Sequence, residues 1–161
     1  MNLTKMNISI KVNIYGITKQ LYVGGALQMS QKIFITEPDK NKLLEIINKN
    51  EDIANKQNLK HLEAEVNRAD VISTKQLPGD VITMNTKVII LIGDSEEEIS
   101  LVYPSDADIS KNKISILSPI GTAILGYSEG SIIEWIVPNG TVQIEVKKVL
   151  FQPEDQGIYG E

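Results

Sequence analysis

The sequence contains no cysteine and only one histidine, His61, among its 161 residues. The absence of cysteine excludes disulfides, thiolate zinc sites and a cysteine nucleophile. A single histidine leaves little material for a His-rich metal cage or a histidine-based catalytic centre. The sequence also shows no glycine-rich phosphate loop and no paired catalytic carboxylates. These absences favour binding or regulation over catalysis, so we expect no enzymatic activity, no cofactor and no metal of the protein's own.

Long hydrophobic runs and aromatic residues are scarce too. No stretch of 18 apolar residues occurs, so we expect no membrane-spanning helix. Aromatic residues make up 5% of the chain, while hydrophobic residues make up 42% and charged residues 23%. That composition is typical of a globular protein rather than a disordered or fibrous one. We expect a cytoplasmic protein that is a monomer.

Positive charge is in short supply and unevenly placed. The 16 basic residues are outnumbered by 21 acidic residues, which gives a net charge of −5. The first 28 residues contain Lys5, Lys11 and Lys19 and no acidic residue, so the rest of the chain carries −8. Because lysine–phosphate contacts release the counterions that drive nonspecific nucleic-acid binding, an acidic body disfavours autonomous binding to nucleic acid. A basic surface on another protein is a more suitable partner.

Residues 1–28 differ in pattern from the residues that follow. Ile8, Ile10, Val12 and Ile14 alternate with polar residues, which predicts a strand. The polar residues interrupt the apolar core that a secretory signal needs. Two interpretations stay open, a real edge strand and an extension from an upstream start or an expression tag. The extension is the preferred one, and no function is assigned to it.

Residues 29–75 predict a short helical hairpin. Thr36 and Asp39 form a start that resembles a capping box, and Pro38 is tolerated in the first turn. Apolar residues at helical spacing then form two arms, which the polar run 48–52 separates. These apolar residues are Leu43, Leu44, Ile46 and Ile47 in the first arm and Leu59, Leu62, Val66 and Ala69 in the second. Arms of about 14 residues form an antiparallel coiled-coil pair roughly 20 Å long, which must pack on a larger body to be stable.

The periodicity changes to that of strands after Pro78-Gly79, so we place a domain boundary near residue 75 and a second domain at residues 76–161. Ser118 suits an N-cap, Pro119 the first helical position and Gly126 the residue just after a helix of two turns. The spacing of apolar residues in the last strand predicts a β-bulge near Lys147-Lys148. The predicted fold class is α+β, a short antiparallel helical hairpin followed by an antiparallel sheet of about five strands around one short helix.

Five blocks of this second domain, taken in order, resemble the C-terminal domain of the Gre transcript-cleavage factors, which has an FKBP-like fold. The blocks are Asp80-Val-Ile-Thr-Met-Asn-Thr, Leu101-Val-Tyr-Pro, Ile116-Leu-Ser-Pro-Ile-Gly-Thr-Ala-Ile-Leu-Gly126, Ile133-Glu-Trp and Val137-Pro-Asn-Gly140. The Thr-Met-Asn step, the Leu-Val-Tyr-Pro step and the tail from Phe151 to Tyr159 are similar in particular to the Rnk branch, the regulators of nucleoside diphosphate kinase. The resemblance covers residues 30–160 and is most specific from residue 77 onward.

The resemblance implies binding to bacterial RNA polymerase at the rim of its secondary channel. In the family the FKBP-like domain docks on a polymerase coiled coil, and the helical hairpin points into the channel. The residues that correspond to the family's docking segment are Leu117, Ser118, Pro119, Ile120 and Gly121. Leu117 stands where cleavage factors often have an acidic residue, so the contact differs at that position. A helix cap without a docking role is the alternative interpretation of the segment.

The hairpin tip carries Glu51 and Asp52 in its predicted turn. Cleavage factors place an Asp and a Glu there, which help to hold a metal ion in the polymerase active site. A solvated acidic turn is the preferred interpretation here, because a hairpin of roughly 20 Å ends in the channel mouth. We therefore expect competition with Gre factors without stimulation of cleavage. His61 is expected to lie at the surface or beside the apolar seam rather than to bind a ligand.

Two further hypotheses follow from the resemblance. An effect on nucleoside diphosphate kinase is expected to be indirect, through transcription, because the sequence contains no kinase machinery. An FKBP-like prolyl isomerase or chaperone-type binding module is the alternative function. The pockets of such proteins are lined with aromatic residues, and this chain has only two Phe, one Trp and five Tyr.

Overall fold

The computed structural model of the protein describes residues 9–14, 17–22, 31–50, 55–137 and 139–158. The chain divides into two compact units, residues 1–32 and residues 33–161. The strands and helices in chain order are β1 (Ser9–Ile14), β2 (Ile17–Tyr22), β3 (Phe34–Thr36), α1 (Glu37–Lys49), α2 (Lys56–Arg68), β4 (Asp70–Ile72), β5 (Lys87–Ile92), β6 (Ser95–Val102), β7 (Lys113–Ser115), α3 (Pro119–Ile124), β8 (Ile132–Val137) and β9 (Gly140–Phe151).

The first unit contains a two-stranded antiparallel sheet. Strand β1 pairs with β2 from Ser9 opposite Tyr22 to Ile14 opposite Ile17. The strand predicted from the alternation of Ile8 to Ile14 is therefore confirmed. The sequence pattern does not predict β2, because its apolar residues do not alternate with polar ones. The interpretation of residues 1–28 as an extension stays a prediction.

Helix α1 begins where the capping pattern predicts. Thr36 has the extended backbone of an N-cap, and its hydroxyl accepts a hydrogen bond from the Asp39 amide at 3.3 Å. Helices α1 and α2 contact each other and have 13 residues each, which makes each about 20 Å long. Residues 51–54 between them lie outside the described residues, and the antiparallel coiled-coil arrangement stays a prediction.

Two short parallel strands connect the ends of the helical segment. Strand β3, directly before α1, pairs with β4, which follows α2, so that Phe34 lies opposite Asp70. The Phe34 amide also donates to the Gly126 carbonyl at 3.0 Å, just after α3. Gly126 has a φ of +80°, and a Cβ at this position would lie 2.8 Å from Ile33 Cβ and 2.9 Å from the Phe34 carbonyl oxygen. Glycine is required here both by the backbone angle and by this close approach.

The main sheet has five strands in the order β7-β6-β5-β9-β8. Four of its strands pair antiparallel, but β7 pairs parallel to β6, so the sheet is mixed and the prediction of a wholly antiparallel sheet is wrong. The reason is local: Pro104 cannot donate a ladder hydrogen bond, and two 3₁₀ turns at Pro104–Asp106 and Ile109–Lys111 return the chain to Ser100, so that β7 runs beside the last three residues of β6 in the same direction. The bulge in β9 is confirmed, since Ile89 pairs with Lys148 while Ile90 pairs with Val146.

One hydrophobic core runs through the second unit. It joins residues from β3, α1 and α2 with residues from the sheet and from α3, and its fully buried members include Ile35, Leu43, Leu62, Leu101 and Ile124. The helical segment and the sheet therefore bury apolar surface against each other, as short helices require. The domain boundary near residue 75 stays a prediction.

Candidate functional site

The segment Leu117–Gly121, which resembles the docking segment of the family, joins β7 to helix α3. Ser118 caps the helix, because its Oγ accepts a hydrogen bond from the Gly121 amide at 3.0 Å. The same hydroxyl donates to the Ser115 carbonyl at 2.8 Å. The predicted cap is thus confirmed, and the Ser118 hydroxyl is occupied as both donor and acceptor, which is typical of a structural role rather than of a nucleophile.

Exposure differs along this segment. Pro119 is exposed, while Leu117, Ser118 and Ile120 are partly buried and Gly121 is fully buried. The side chains of Leu117 and Ile120 pack against the core. The segment therefore presents to solvent the Pro119 ring, flanked by the outer parts of two apolar side chains. Such a surface is suited to contact with a protein, and it presents no side chain that could act as a nucleophile, an acid or a base.

Gly121 is fixed by a close backbone approach. A Cβ at this position would lie 2.1 Å from the Ser115 carbonyl oxygen and 3.0 Å from the Ser118 Oγ. No neighbouring backbone atom tolerates a carbon at 2.1 Å, so any other residue forces the start of α3 away from β7. The sequence places a glycine in the segment but does not reveal this contact, because it depends on the fold.

Asn58, in the first turn of α2, is bonded directly to this segment. Its side-chain amide nitrogen donates to the Leu117 carbonyl oxygen and to the Thr122 Oγ1, the latter at 3.1 Å. Thr122 in turn donates to the Ile116 carbonyl at 2.8 Å. Sequence analysis does not identify Asn58, since an asparagine on a helix has no pattern that points to a partner about sixty residues away.

The predicted tip residues Glu51 and Asp52 lie outside the described residues. His61 is partly buried, and its ring meets the ring of Trp135 edge-on, with 5.7 Å between centroids and 83° between planes. Its Nε2 lies 3.0 Å from the Gln57 amide nitrogen, one turn earlier on α2. This position agrees with the predicted flanking role of His61.

A second polar cluster lies in a cleft of about 340 Å³ between the start of α1 and the C-terminal tail. The Tyr103 hydroxyl donates to Asp39 at 2.7 Å, and the Thr83 hydroxyl donates to Glu154 at 2.7 Å. The Nζ of Lys42 lies 4.0 Å from the centre of the Tyr103 ring. The Thr-Met-Asn step, the Leu-Val-Tyr-Pro step and the tail, which carry the resemblance to the Rnk branch, thus meet in one place.

Burial dominates the electrostatics of this cleft. It raises the pKa of the Asp39 carboxyl, although the hydrogen bond from Tyr103 and the charge of Lys42 oppose the shift. Burial also raises the pKa of Glu154, against the hydrogen bond from Thr83. Burial and the negative charge of Asp39 raise the pKa of Tyr103, so this hydroxyl stays protonated and donates.

In the described part of the chain, no group of three or more His, Cys, Asp or Glu side chains is arranged to hold a metal ion. None of the described helices has the length and apolar character needed to cross a membrane.

The family model for "Transcription elongation factor, GreA/GreB, C-term" matches residues 77–151. This range contains strands β5 to β9, helix α3 and all of Leu117–Gly121. Helices α1 and α2 lie before it, so that model carries no information about them.

Individual proteins extend the similarity. The regulator of nucleoside diphosphate kinase of Escherichia coli strain K12 is 38% identical over 101 residues, which are 61% of this chain and 74% of that protein. Transcription elongation factor GreA of Rickettsia bellii strain OSU 85-389 is 36% identical over 96 residues, 58% of this chain and 60% of that protein. A solved structure of the prokaryotic transcription elongation factor GreA/GreB from Nitrosomonas europaea has a TM-score of 0.61 and 34% identity, covering 76% of this chain and 100% of that chain.

Proposed function

The chain belongs to the GreA/GreB family, on the branch of the regulators of nucleoside diphosphate kinase, and on that premise we propose that it regulates transcription by binding bacterial RNA polymerase at the secondary channel. The observation that carries the proposal is the capped segment Leu117–Gly121, which presents the Pro119 ring to solvent and lies inside the matched range 77–151. In this proposal the sheet domain is FKBP-like and docks through that segment on the rim of the channel.

The helices α1 and α2 are the part that enters the channel, as an antiparallel hairpin with Glu51 and Asp52 in its turn. Two observations support a short reach. Each helix is about 20 Å long, and Asn58, in the first turn of α2, is bonded to the docking segment itself. The described start of α2 therefore stays beside the docking segment. A carboxylate near that point does not complete the coordination shell of a metal deep in the partner.

The protein is accordingly proposed to compete with Gre factors for the channel without stimulating transcript cleavage. Its effect on nucleoside diphosphate kinase is then indirect, through transcription. The prolyl isomerase alternative is not favoured, because the relatives are regulators and transcription factors.

Docking is tested by retention of the protein on immobilised core RNA polymerase. Replacing Ser118 and Pro119 together by Ala should weaken retention, and the loss of the cap should also lower the free energy of unfolding by about 1 kcal/mol. Thr36→Ala is the matched control, since it removes the cap of α1 at similar cost and leaves the docking segment intact. A folded double variant that is retained as well as the unaltered chain removes this segment from the interface.

Cleavage is tested on backtracked elongation complexes. Adding the protein alone should leave the RNA length unchanged, and adding it before a Gre factor should slow the cleavage that the factor produces. Rapid shortening of the RNA by the protein alone, lost in the variant with Glu51→Ala and Asp52→Ala, contradicts the proposed limit on reach. Direct action on the kinase is tested with purified nucleoside diphosphate kinase, whose rate should not change.

A further inference from the structure

Helix α2 is attached to the sheet domain along its whole length. Between its ends, Leu59, Leu62 and Val66 are buried. Polar and aromatic side chains on the same helix reach across to the sheet domain at three levels. These contacts are Asn58 with Leu117 and Thr122, His61 with Trp135, and Arg68 with the Tyr127 hydroxyl at 2.9 Å.

Asn58 differs from the other two contacts because its partners belong to the docking segment and to the helix that this segment caps. The two hydrogens of its amide nitrogen are directed to two acceptors, the Leu117 carbonyl oxygen and the Thr122 Oγ1. The Thr122 hydroxyl in turn donates a hydrogen bond to the carbonyl of Ile116, the residue directly after β7. The start of α2 and the docking segment are thus connected by side-chain hydrogen bonds at the segment's own backbone.

We propose that Asn58 is a positioning residue, which fixes the direction of helices α1 and α2 relative to the docking segment Leu117–Gly121. The inference rests on the proposed function and states a geometric requirement of it. The docking segment can contact the polymerase while α1 and α2 enter the channel only if the angle between the helices and the segment is fixed. Asn58 itself touches neither the channel nor the reacting RNA. It acts through the Leu117 carbonyl and Thr122.

Asn58→Asp is the informative substitution, because it keeps the shape and replaces the donor by an acceptor. The new carboxylate faces the Leu117 carbonyl, which it repels, and the Thr122 hydroxyl, which can donate to it only by giving up its hydrogen bond to the Ile116 carbonyl. Either way the present set of hydrogen bonds is lost. The helix itself should tolerate the change, since an acidic residue is favourable in the first turn of a helix. Asn67→Ala is the matched control on the same helix, because Asn67 is exposed. Asn58→Gln keeps the amide donor, so this variant should behave more like the parent chain than Asn58→Asp does.

The first measurement needs no polymerase. The chain has no cysteine, so Asn48→Cys near the end of α1 and Asp94→Cys in the turn between β5 and β6 give two unique spin-label sites in the full chain. The distribution of distances between the labels should be narrow in the parent chain and with Asn67→Ala, and broad or displaced with Asn58→Asp. An unchanged distribution with Asn58→Asp overturns the positioning role, whatever the protein binds.

The second measurement separates this inference from the proposed function. With Asn58→Asp, retention on core polymerase should be kept within about twofold, while the concentration that half-inhibits cleavage by a Gre factor should rise about five- to tenfold, the worth of a lost hydrogen bond. If the parent chain is not retained, the proposed function fails and the label distances alone decide the positioning role. If the parent chain is retained and Asn58→Asp inhibits as strongly as the parent, the function stands and the positioning role is wrong.

Discussion

At the scale of single residues, close backbone approaches decide which side chains the docking segment accepts. Gly121 is buried, and a Cβ at this position would lie 2.1 Å from a backbone oxygen. Gly93, in contrast, has a φ of +59° and open space around it. We expect Gly121→Ala to lower the free energy of unfolding by more than about 2 kcal/mol, because the start of α3 must move. Gly93→Ala should cost only about 1 kcal/mol, from its left-handed backbone. Urea denaturation of both variants gives the comparison, and equal losses contradict the close approach.

The buried carboxyl of Asp39 predicts a pH dependence of stability. Burial raises the pKa of this carboxyl in the folded state above its unfolded value. At a pH between the two values the folded state therefore binds more protons than the unfolded state. The free energy of unfolding then falls as the pH rises through that window. Asn at this position cannot titrate but still accepts from Tyr103. The parent chain should therefore gain stability relative to Asp39→Asn as the pH is lowered from neutral through the folded pKa. Glu154 also has a raised pKa, to which the charge of Asp39 contributes, so both chains should carry Glu154→Gln. In that background the difference in melting temperature between them isolates Asp39.

At the scale of elements, we predict that α2 contributes most to the free energy of unfolding through its fully buried side chains. Leu62 has no exposed surface and belongs to the shared core. Leu62→Ala should lower the free energy of unfolding by about 2 to 5 kcal/mol, through lost burial and a new cavity. Lys60→Ala, two residues earlier and exposed, should change it by less than about 0.5 kcal/mol. Chemical denaturation that gives similar values for the two variants contradicts the attachment of α2 to the core.

The sequence predicts those features of the elements that depend on residues close together in the chain. The caps at Thr36 and Ser118 involve residues three positions apart, and the bulge in β9 follows from the phase of apolar residues within one strand. The parallel pairing of β7 with β6 and the bonds of Asn58 depend on where distant segments meet. No periodicity within a strand or a helix contains that information, so the sheet order and the Asn58 contact are learned only from the structure.

At the scale of the whole molecule, the shared core predicts unequal stability of two fragments. Residues 76–161 contain the sheet and α3, and we predict that they fold alone with a cooperative melt. Residues 31–161 also contain Ile35, Leu43 and Leu62, which cover the same core. The longer fragment should melt at a clearly higher temperature, because burial of three such side chains contributes several kcal/mol. Absence of a cooperative melt for 76–161 contradicts the boundary near residue 75, and equal melting temperatures contradict the shared core.

The pairing of β3 with β4 brings the two ends of the helical segment together, with Phe34 opposite Asp70. A loop with joined ends can change in length without moving the structure that holds them, and doubling the length of a flexible loop costs only about 0.6 kcal/mol in closure entropy. Whole helical turns inserted together after α1 and before α2 would extend the tip while Asn58 and the strands keep their partners. Under the proposed function, the depth that the hairpin reaches can thus be altered without changing the surface that docks.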